Sequence, residues 1–229
     1  MDLCGLMKLT LLDYPGRVAC TVFTGGCNFR CPFCHNTSIV MKNSQAEIST
    51  ERFLLFLTKR KGILDGVCVS GGEPLANADL PELLKSIKEL GYSVKLDTNG
   101  SFPDRLREIA DNGLCDCIAM DIKNSPQKYA LTAGTDKIDI GAIKESIEYI
   151  KHSGIEHEFR TTVVREFHTP ADIREAAALI KGEKKYFLQP FRSSDGVLVQ
   201  GLHEPERAEL DAMLDAAREF VPGTELRGI

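Results

Sequence analysis

The 229-residue sequence contains no apolar run that approaches the roughly 20 residues a membrane-spanning helix needs. Residues 1–17 also lack the charged and then apolar layout of a secretory signal peptide. Basic residues are not in excess, because 33 acidic side chains outnumber 28 lysines and arginines and give a net charge of −5. This charge argues against an extended nucleic-acid-binding face. We therefore expect a cytoplasmic protein with neither a membrane nor a nucleic acid as its partner.

Internal repeats, low-complexity tracts and long linkers are also missing, so we expect a single domain over residues 1–229. The sequence has no P-loop, no H-E-x-x-H zinc motif and no arrangement of a nucleophile with His and Asp. Apolar residues make up 43% of the chain, which is enough for a sizeable core. The composition is that of a globular protein whose chemistry does not come from these common motifs.

Short apolar and β-branched runs alternate with longer amphipathic runs, which predicts strands alternating with helices. The predicted strands are 17–23, 66–70, 93–97, 115–121, 157–164 and 185–191. The predicted helices are 49–61, 77–90, 102–112, 140–153, 169–181 and 205–219, with Ser49 or Thr50 as the first N-cap and Pro170 at the start of the fifth. Six successive β–α units imply parallel pairing. Periodicity leaves two α/β architectures open, a doubly wound sheet and a partial barrel.

Polar and glycine-rich segments follow the predicted strands, where ligands of parallel α/β folds bind. They are the cysteine-rich stretch 27–34, GGEP at 71–74, DTNG at 97–100, DIK at 121–123, Arg160 within the fifth strand, and Gln189, Phe191 and Arg192 at the end of the sixth. Because the carboxyl ends of parallel strands share one edge, we expect these segments to converge on one rim.

Three of the eight cysteines, Cys27, Cys31 and Cys34, have the spacing C-x3-C-x2-C. In a reducing compartment such a group indicates metal binding or catalysis rather than disulfides. Three close thiolates can bind zinc or an iron–sulfur cluster, and the adjacent His35 is poorly placed to share one ion with Cys34. Cubane clusters usually take four cysteines, so three leave one iron open to a chelating substrate.

The other five cysteines have a simpler interpretation. Cys20 and Cys68 lie within apolar strand-like runs, where cysteine behaves as a small hydrophobic residue. Cys115 and Cys117 share one face of a predicted strand. We interpret these two as packing residues, with accessory ligation as the less favoured alternative.

The glycines after the second predicted strand allow a binding and a structural interpretation. Gly71 and Gly72 let a backbone approach a ligand closely, and together with Glu73 they could contact an ammonium group. The same residues also suit a plain turn. Phe33 could likewise stack on an adenine or pack in the interior.

Four charged residues carry similar alternatives. Asp97 and Asp121 could accept a hydrogen bond from a ribose hydroxyl, bind a cation, or cap the next helix. Lys123 and Arg160 could bind a ligand carboxylate or be solvated cations. None of the four points to a ligand by itself.

The segment GCNFRCPFCHN at 26–36 resembles the cluster loop of radical S-adenosylmethionine (SAM) enzymes, whose hallmark is this spacing with an aromatic residue before the third cysteine. The closer resemblance is to glycyl-radical-enzyme activases, through LDYPGR at 12–17, CPFCHN, GGEP, DTNG and DIK in that order. It runs from about residue 6 to residue 191. Within that family, the opening segment is most similar to activating proteins of anaerobic ribonucleoside-triphosphate reductases. The resemblance implies a partial (βα)6 TIM-like barrel of radical SAM type, with a core at about 17–191.

By resemblance, Cys27, Cys31 and Cys34 bind a [4Fe–4S] cluster, and SAM chelates its fourth iron. The GGEP glycines and glutamate match the family's contact to the SAM amino group, and Phe33 and His35 match main-chain contacts to the adenosine. The SAM-binding residues implied in this way are Phe33, Cys34, His35, Gly71, Gly72, Glu73, Asp97, Asp121, Lys123, Arg160, Gln189 and Arg192.

Two features near the methionine end also follow from the resemblance. Asp97 and Asp121 match carboxylates that hold a monovalent cation in some activases, and Lys123 matches a contact to the SAM carboxylate. One departure concerns the adenosine, because formate-lyase activases carry a histidine where this sequence has LQPFRSSDG, so Gln189 or Arg192 takes that place. The segment 36–50 lacks the cysteines of a ferredoxin-like insertion, and we expect a single cluster.

The resemblance implies an oxidoreductase without a catalytic side chain of its own, because the cofactors carry the chemistry. Reduced flavodoxin or ferredoxin supplies an electron, SAM is cleaved reductively, and a Cα hydrogen is abstracted from a glycine of anaerobic ribonucleotide reductase. Two alternatives stay open. The first is a radical SAM enzyme acting on a small molecule or a tRNA-modification precursor, and the second is a non-catalytic zinc or iron–sulfur protein. The LDYPGR and DTNG matches favour the activase.

Overall fold

The computed structural model describes residues 1, 3–41 and 47–229. Its strands are β1 (Leu3–Thr10), β2 (Ala19–Thr24), β3 (Gly66–Gly71), β4 (Ser93–Thr98), β5 (Cys117–Asp121), β6 (Glu156–Val163), β7 (Tyr186–Pro190) and β8 (Glu225–Leu226). Its helices are α1 (Thr37–Val40), α2 (Thr50–Lys59), α3 (Leu80–Glu89), α4 (Pro103–Asp111), α5 (Tyr129–Ala133), α6 (Ile140–His152), α7 (Pro170–Leu179) and α8 (Arg207–Arg218), with a 3₁₀ turn at Pro74–Ala76. The strands hydrogen-bond in chain order. All six predicted strands and all six predicted helices are present, which confirms the α/β class.

The chain divides into two compact units. The first comprises residues 1–28, 38–98 and 102–118, and the second comprises 29–37, 99–101 and 119–229. The cysteine motif is shared between them, because Cys27 belongs to the first unit while Cys31 and Cys34 belong to the second. A single domain over 1–229 stays a prediction.

In the first unit, β1 pairs antiparallel with β2, and β2, β3 and β4 pair in parallel. The register places Cys68 opposite Lys95 on the next strand. Cys20 and Cys68 are fully buried, which confirms their interpretation as small hydrophobic residues. Burial raises the pKa of the Cys20 thiol to about 12, so this thiol stays protonated at neutral pH.

In the second unit, β6, β7 and β8 pair in parallel. Helix α7 begins at Pro170, as predicted, and Thr169 caps it. The Thr169 hydroxyl accepts from the Asp172 amide, and the Asp172 carboxylate accepts from the Thr169 amide at 2.9 Å. In the first unit, Ser49 caps α2, so the first of the two predicted N-cap candidates is confirmed.

Four elements were missed by the sequence interpretation. Strand β1 has no clean alternation, because residues 7–9 are all exposed, and its antiparallel pairing precedes the first β–α unit. Strand β8 has only two residues. Helices α1 and α5 have four and five residues, which is too short to show a helical period.

The segment 36–50, for which no second cluster is predicted, lies partly outside the described residues. Among the residues that are described, no helix is long and apolar enough to cross a membrane.

Candidate functional site

Cys27 follows a tight approach of two backbones in the first unit. A Cβ added at Gly72 would lie 1.9 Å from the Gly26 carbonyl oxygen and 3.3 Å from the Cys27 nitrogen. The amides of Gly72 and Glu73 donate to the carbonyls of Thr24 and Gly26 at 2.9 and 2.8 Å. Any side chain at position 72 would therefore displace the backbone that leads into Cys27.

The Glu73 carboxylate is used inside the first unit. Glu73 is fully buried, and its Oε1 accepts from the Leu75 amide at 3.1 Å and from the Thr98 hydroxyl at 2.8 Å. It caps the 3₁₀ turn that follows. Glu73 Oε1 therefore helps to hold the turn that follows Gly71 and Gly72, and a contact of Glu73 with a ligand stays a prediction.

Asp97, at the end of β4, is paired with a lysine of the same strand. The ammonium of fully buried Lys95 lies 2.5 Å from Asp97 Oδ1, and the Ser70 hydroxyl donates to Oδ2 at 3.1 Å. Residues two apart on a strand project from the same face. The sequence interpretation missed Lys95, and this alternation was the signal that could have found it.

In the second unit, the end of helix α5 contacts the cysteine loop next to Cys31. The Arg30 amide donates to the carbonyl of Ala133 at 2.8 Å. Gly134 then adopts a left-handed φ of +64°, and a Cβ there would lie 1.9 Å from the Arg30 carbonyl oxygen. Further along the loop, the Cys34 amide donates to the Cys31 carbonyl at 3.0 Å. The chain path around Cys31 thus depends on α5, which sequence reasoning missed.

A segment after β7, residues 194–199, holds the same loop and is called the strap below. The Leu198 amide donates to the Cys34 carbonyl at 3.3 Å, and the Val199 amide donates to the Pro32 carbonyl at 2.9 Å. These contacts fix the backbone at Pro32 and Cys34. Because they use only main-chain atoms, residue types gave no signal for them.

The aromatic residues of the loop pack within the second unit. The ring of buried Phe33 lies 6.2 Å from that of Phe167 between centroids, so its side chain has the packing role that was one of its two interpretations. The His35 ring lies 5.4 Å from the Phe191 ring, and its Nδ1 is 3.3 Å from the Ser194 hydroxyl of the strap. Burial lowers the pKa of His35, which keeps the ring neutral at pH 7.

Asp121, Lys123 and Arg160 form a charged group called the Asp121 network below. Lys123 Nζ lies 3.0 Å from Asp121 Oδ2, and Arg160 Nε donates to Oδ1 at 3.0 Å. Burial alone would raise the pKa of Asp121, but the charges of Lys123 and Arg160 outweigh it and hold this pKa well below its usual range. One carboxylate between two cations leaves a net charge of +1. The network therefore suits an anionic ligand group such as a carboxylate.

Cys31 is electrostatically coupled to the Asp121 network. Burial raises the pKa of the Cys31 thiol, and the neighbouring Lys123 cation opposes that rise. The pKa of Lys123 is raised, because the charges of Asp121 and Cys31 outweigh the lowering that burial would cause. Cys31 is thus coupled to Lys123 and Asp121, two of the predicted SAM-binding residues, and Arg160 joins them through its hydrogen bond to Asp121.

A buried histidine supports the DIK segment from behind. The Val164 amide donates to His168 Nδ1 at 3.0 Å, so the proton is on Nε2, which donates to the Lys123 carbonyl at 2.9 Å. Burial lowers the pKa of His168 and keeps it neutral. The sequence interpretation missed His168, since a single histidine after a strand forms no recognisable pattern.

The two residues considered in place of the family's histidine have different surroundings. Gln189 is half-buried and lies on β7 opposite Thr162. Arg192 is exposed, and its guanidinium donates to Glu204 Oε2 at 2.8 Å and to the Gly228 carbonyl at 3.0 Å. The structure thus engages Arg192 with the C-terminal segment.

None of the eight cysteines forms a disulfide. Within residues 1, 3–41 and 47–229, no three His, Cys, Asp or Glu side chains are arranged as a metal site. The donors nevertheless fit an iron–sulfur cluster by their chemistry, because three reduced thiols have the motif spacing and Cys31 interacts with the Lys123 cation. Cys115 and Cys117 are buried, and burial raises the pKa of the Cys115 thiol to about 12, which favours packing over ligation.

Comparisons with known proteins identify the family of the chain. Residues 21–180 match the family model of the Radical SAM superfamily. A Methanocaldococcus jannaschii protein named as a glycyl-radical enzyme activating enzyme is 30% identical over 98% of this chain and 95% of its own length. The pyruvate formate-lyase-activating enzyme of Clostridium pasteurianum is 29% identical over 90% of this chain and 86% of its own length.

A solved structure supports the fold. Streptococcus suis SuiB bound to S-adenosylmethionine superposes with a TM-score of 0.68 at 14% identity, over 90% of this chain. The match covers 49% of SuiB, so the chain spans about half the length of that protein. This likeness agrees with the predicted fold class. The family matches go further and show that the chain belongs to the radical SAM superfamily and, within it, to the glycyl-radical enzyme activating enzymes.

Proposed function

We propose that this enzyme installs a glycyl radical on an anaerobic ribonucleoside-triphosphate reductase. When bound, a [4Fe–4S] cluster and SAM supply the reductive cleavage and the abstraction of a glycine Cα hydrogen. The observation that carries the proposal is that Cys31 of the motif adjoins the Asp121 network. Near end-to-end similarity to activating enzymes supports it. The reductase is chosen as the partner because of the resemblance of the opening segment.

The residues of the chain bind and orient the two cofactors. Cys27, Cys31 and Cys34 would hold three irons and leave the fourth to SAM. The main-chain carbonyls of Gly71 and Gly72 would accept from the SAM amino group together with the Glu73 carboxylate, whose Oε1 is held by Leu75 and Thr98. The net positive charge of the Asp121 network would attract the SAM carboxylate.

The adenosine would contact the loop between the second and third cysteines. Phe33 and His35 use their rings for packing, so they would contact it through their main chain. We assign the contact after β7 to Gln189 rather than to Arg192, because the Arg192 guanidinium is engaged by Glu204 and Gly228.

A monovalent cation near Asp97 and Asp121 stays a prediction, and the side chains around both carboxylates favour an alternative. Cationic side chains already lie within hydrogen-bond distance of both carboxylates, Lys95 at the first and Lys123 and Arg160 at the second. We infer that the protein supplies this charge itself. SAM cleavage should therefore run equally fast in potassium and tetramethylammonium buffers of one ionic strength, whereas a clear requirement for potassium would show that a cation binds.

The cluster assignment is tested by comparing two cysteine variants after anaerobic reconstitution with iron and sulfide. Cys31→Ala should lose iron, sulfide and the release of 5′-deoxyadenosine from SAM under dithionite. Cys68→Ala is the matched control, because it removes a buried thiol of β3 that has no proposed ligand role. A Cys31→Ala protein with the wild-type iron content and rate would remove the assignment, and one equivalent of zinc without sulfide would favour the non-catalytic alternative.

The partner is tested with the reconstituted enzyme and purified anaerobic ribonucleotide reductase. Incubation with SAM and reduced flavodoxin or ferredoxin should produce the doublet of a glycyl radical in an electron paramagnetic resonance spectrum. SAM cleavage without that doublet would retain radical SAM chemistry and reject this reductase as the partner. A parallel incubation with dithionite in place of the protein reductant shows whether electron delivery is the step that fails.

A further inference from the structure

A second carboxylate lies beside Arg160 in the second unit. Glu158 and Arg160 are two residues apart on β6 and project from the same face. Arg160 Nη1 lies 4.0 Å from Glu158 Oε1, while its Nε donates to Asp121 at 3.0 Å. Glu158 is only 4% exposed, so its charge is poorly screened by water. Arg160 is therefore attracted by two carboxylates, of which one belongs to the Asp121 network.

Arg227, near the end of β8, neutralises this second carboxylate. Its Nη1 and Nη2 donate to Glu158 Oε1 and Oε2, both at 2.9 Å, which is the bidentate geometry of a strong guanidinium–carboxylate pair. The guanidinium carbon lies 3.4 Å from the centroid of the Phe187 ring. The Arg227 amide also donates to the Leu188 carbonyl at 3.0 Å. Strand pairing and ring contact thus hold the guanidinium in place.

We propose that Arg227 is a positioning residue for the ligand site, acting through Glu158 on Arg160. By neutralising Glu158, it leaves Arg160 committed to Asp121 and keeps the Asp121 network at a net charge of +1. Without Arg227, the charge of a buried glutamate would attract Arg160, and Asp121 would lose one of its two cations. The inference rests on the proposed function, because it concerns the group to which the SAM carboxylate is assigned.

If Glu158 and Asp121 compete for Arg160, a second substitution at Glu158 should reverse the effect of removing Arg227. Arg227→Gln should raise the KM for SAM about tenfold in the dithionite assay, with a smaller effect on kcat, as expected for a residue that orients a ligand-binding group. Adding Glu158→Gln removes the competing carboxylate, so the double variant should recover a KM close to that of the wild type. A purely structural role predicts a different pattern: the free energy of unfolding would fall in the single variant and recover in part in the double variant, while the KM for SAM would stay unchanged in both.

Two further variants separate charge from folding. Arg227→Lys keeps the charge and should retain a KM near that of the wild type, which also provides a test if Arg227→Gln does not fold. Arg165→Gln is the matched control, because it breaks an exposed pair with Glu206 elsewhere in the second unit and should leave KM unchanged. The proposal would be overturned if Arg227→Lys raised the KM for SAM as much as Arg227→Gln does. It would also be overturned if the double variant had a KM no lower than that of the single variant.

A readout independent of cofactors completes the test. Hydrogen exchange of the Arg160 Nε–H can be followed in the cluster-free protein, and its signal is assigned from its loss in Arg160→Lys. This exchange should become about tenfold faster in Arg227→Gln and return to a slow rate in the double variant. Unchanged exchange in Arg227→Gln would also reject the inference. The proposed function fails separately, if the reconstituted wild type releases no 5′-deoxyadenosine.

Discussion

Replacing Gly134 by alanine tests whether α5 positions the cysteine loop. Gly134 adopts a φ of +64°, and its added Cβ would lie 1.9 Å from the Arg30 carbonyl oxygen. Gly154, after α6, provides a matched control, because it has a similar φ of +73° but, apart from its chain neighbours, no atom of the described residues lies within 4 Å of an added Cβ. The two substitutions share the backbone penalty and differ only in the collision.

The geometry sets the expected magnitudes. A left-handed alanine costs about 1–2 kcal/mol at either position. At Gly134 the Arg30 carbonyl must also move by roughly 1.5 Å to reach an ordinary contact distance, and such overpacking costs about 1–3 kcal/mol more in a close-packed interior. Gly134→Ala should therefore lower the free energy of unfolding by about 2–5 kcal/mol, and Gly154→Ala by no more than about 2 kcal/mol.

The assay combines urea unfolding followed by circular dichroism with iron analysis after anaerobic reconstitution. Arg30 directly precedes Cys31, so displacement of its carbonyl should reduce the iron retained by Gly134→Ala, whereas Gly154→Ala should retain the wild-type amount. Equal destabilisation of the two variants would show that the collision is relieved without cost. If Gly134→Ala were less stable than Gly154→Ala but retained as much iron, α5 would not position the cysteine loop, and the reasoning about the cysteines would be refuted.

Three further predictions concern single contacts. Lys95→Met should lower the free energy of unfolding by about 3 kcal/mol, because Asp97, whose side chain is only 14% exposed, would keep its charge without the ammonium beside it. Lys95→Met combined with Asp97→Asn should cost clearly less than the sum of the single variants in the same urea titration, and additivity would contradict the pairing. The free energy of unfolding of the wild type should fall as the pH drops below about 6.5, because His168 binds a proton in the unfolded chain but not in its buried folded position. His168→Gln should make this pH dependence shallower, and parallel pH profiles of the two proteins would show that His168 does not cause it. Val199→Pro removes the amide that donates to Pro32 and should reduce iron retention, whereas Val199→Ala keeps the amide and should not; equal losses would exclude the strap contact.

The regular elements could be predicted because each one depends on a local pattern. Apolar runs predicted the six strands β2 to β7, and side-chain caps such as Ser49 and Thr169 predicted helix starts. Strand β8 could not be predicted in this way, because two residues become a strand only by pairing with β7. Strand β1 is defined by its antiparallel partner β2, and its exposed residues 7–9 interrupt the alternation that a sequence reading needs.

The candidate site was predicted as a set of residues but not as a set of contacts. The sequence placed Glu73 at a ligand-binding turn, yet only the structure shows that its carboxylate is used by Leu75 and Thr98. His168 and Arg227 act through residues far away along the chain, on the Lys123 carbonyl and on Glu158. Contacts of this kind depend on tertiary packing, which neither spacing nor periodicity encodes.

The two strand-end carboxylates show how local pattern and tertiary contact divide the work. Lys95 precedes Asp97 by two residues, and Lys123 follows Asp121 by two. Both spacings bring an ammonium and a carboxylate to the same face of an extended chain, so both pairs could be predicted from the sequence. Arg160 makes the difference, because it adds a second cation from β6 to Asp121 and leaves that group with one positive charge in excess. Lys95 and Asp97 taken together carry no net charge, whereas the Asp121 network carries one positive charge, so we expect an anionic ligand group to be attracted more strongly to that network.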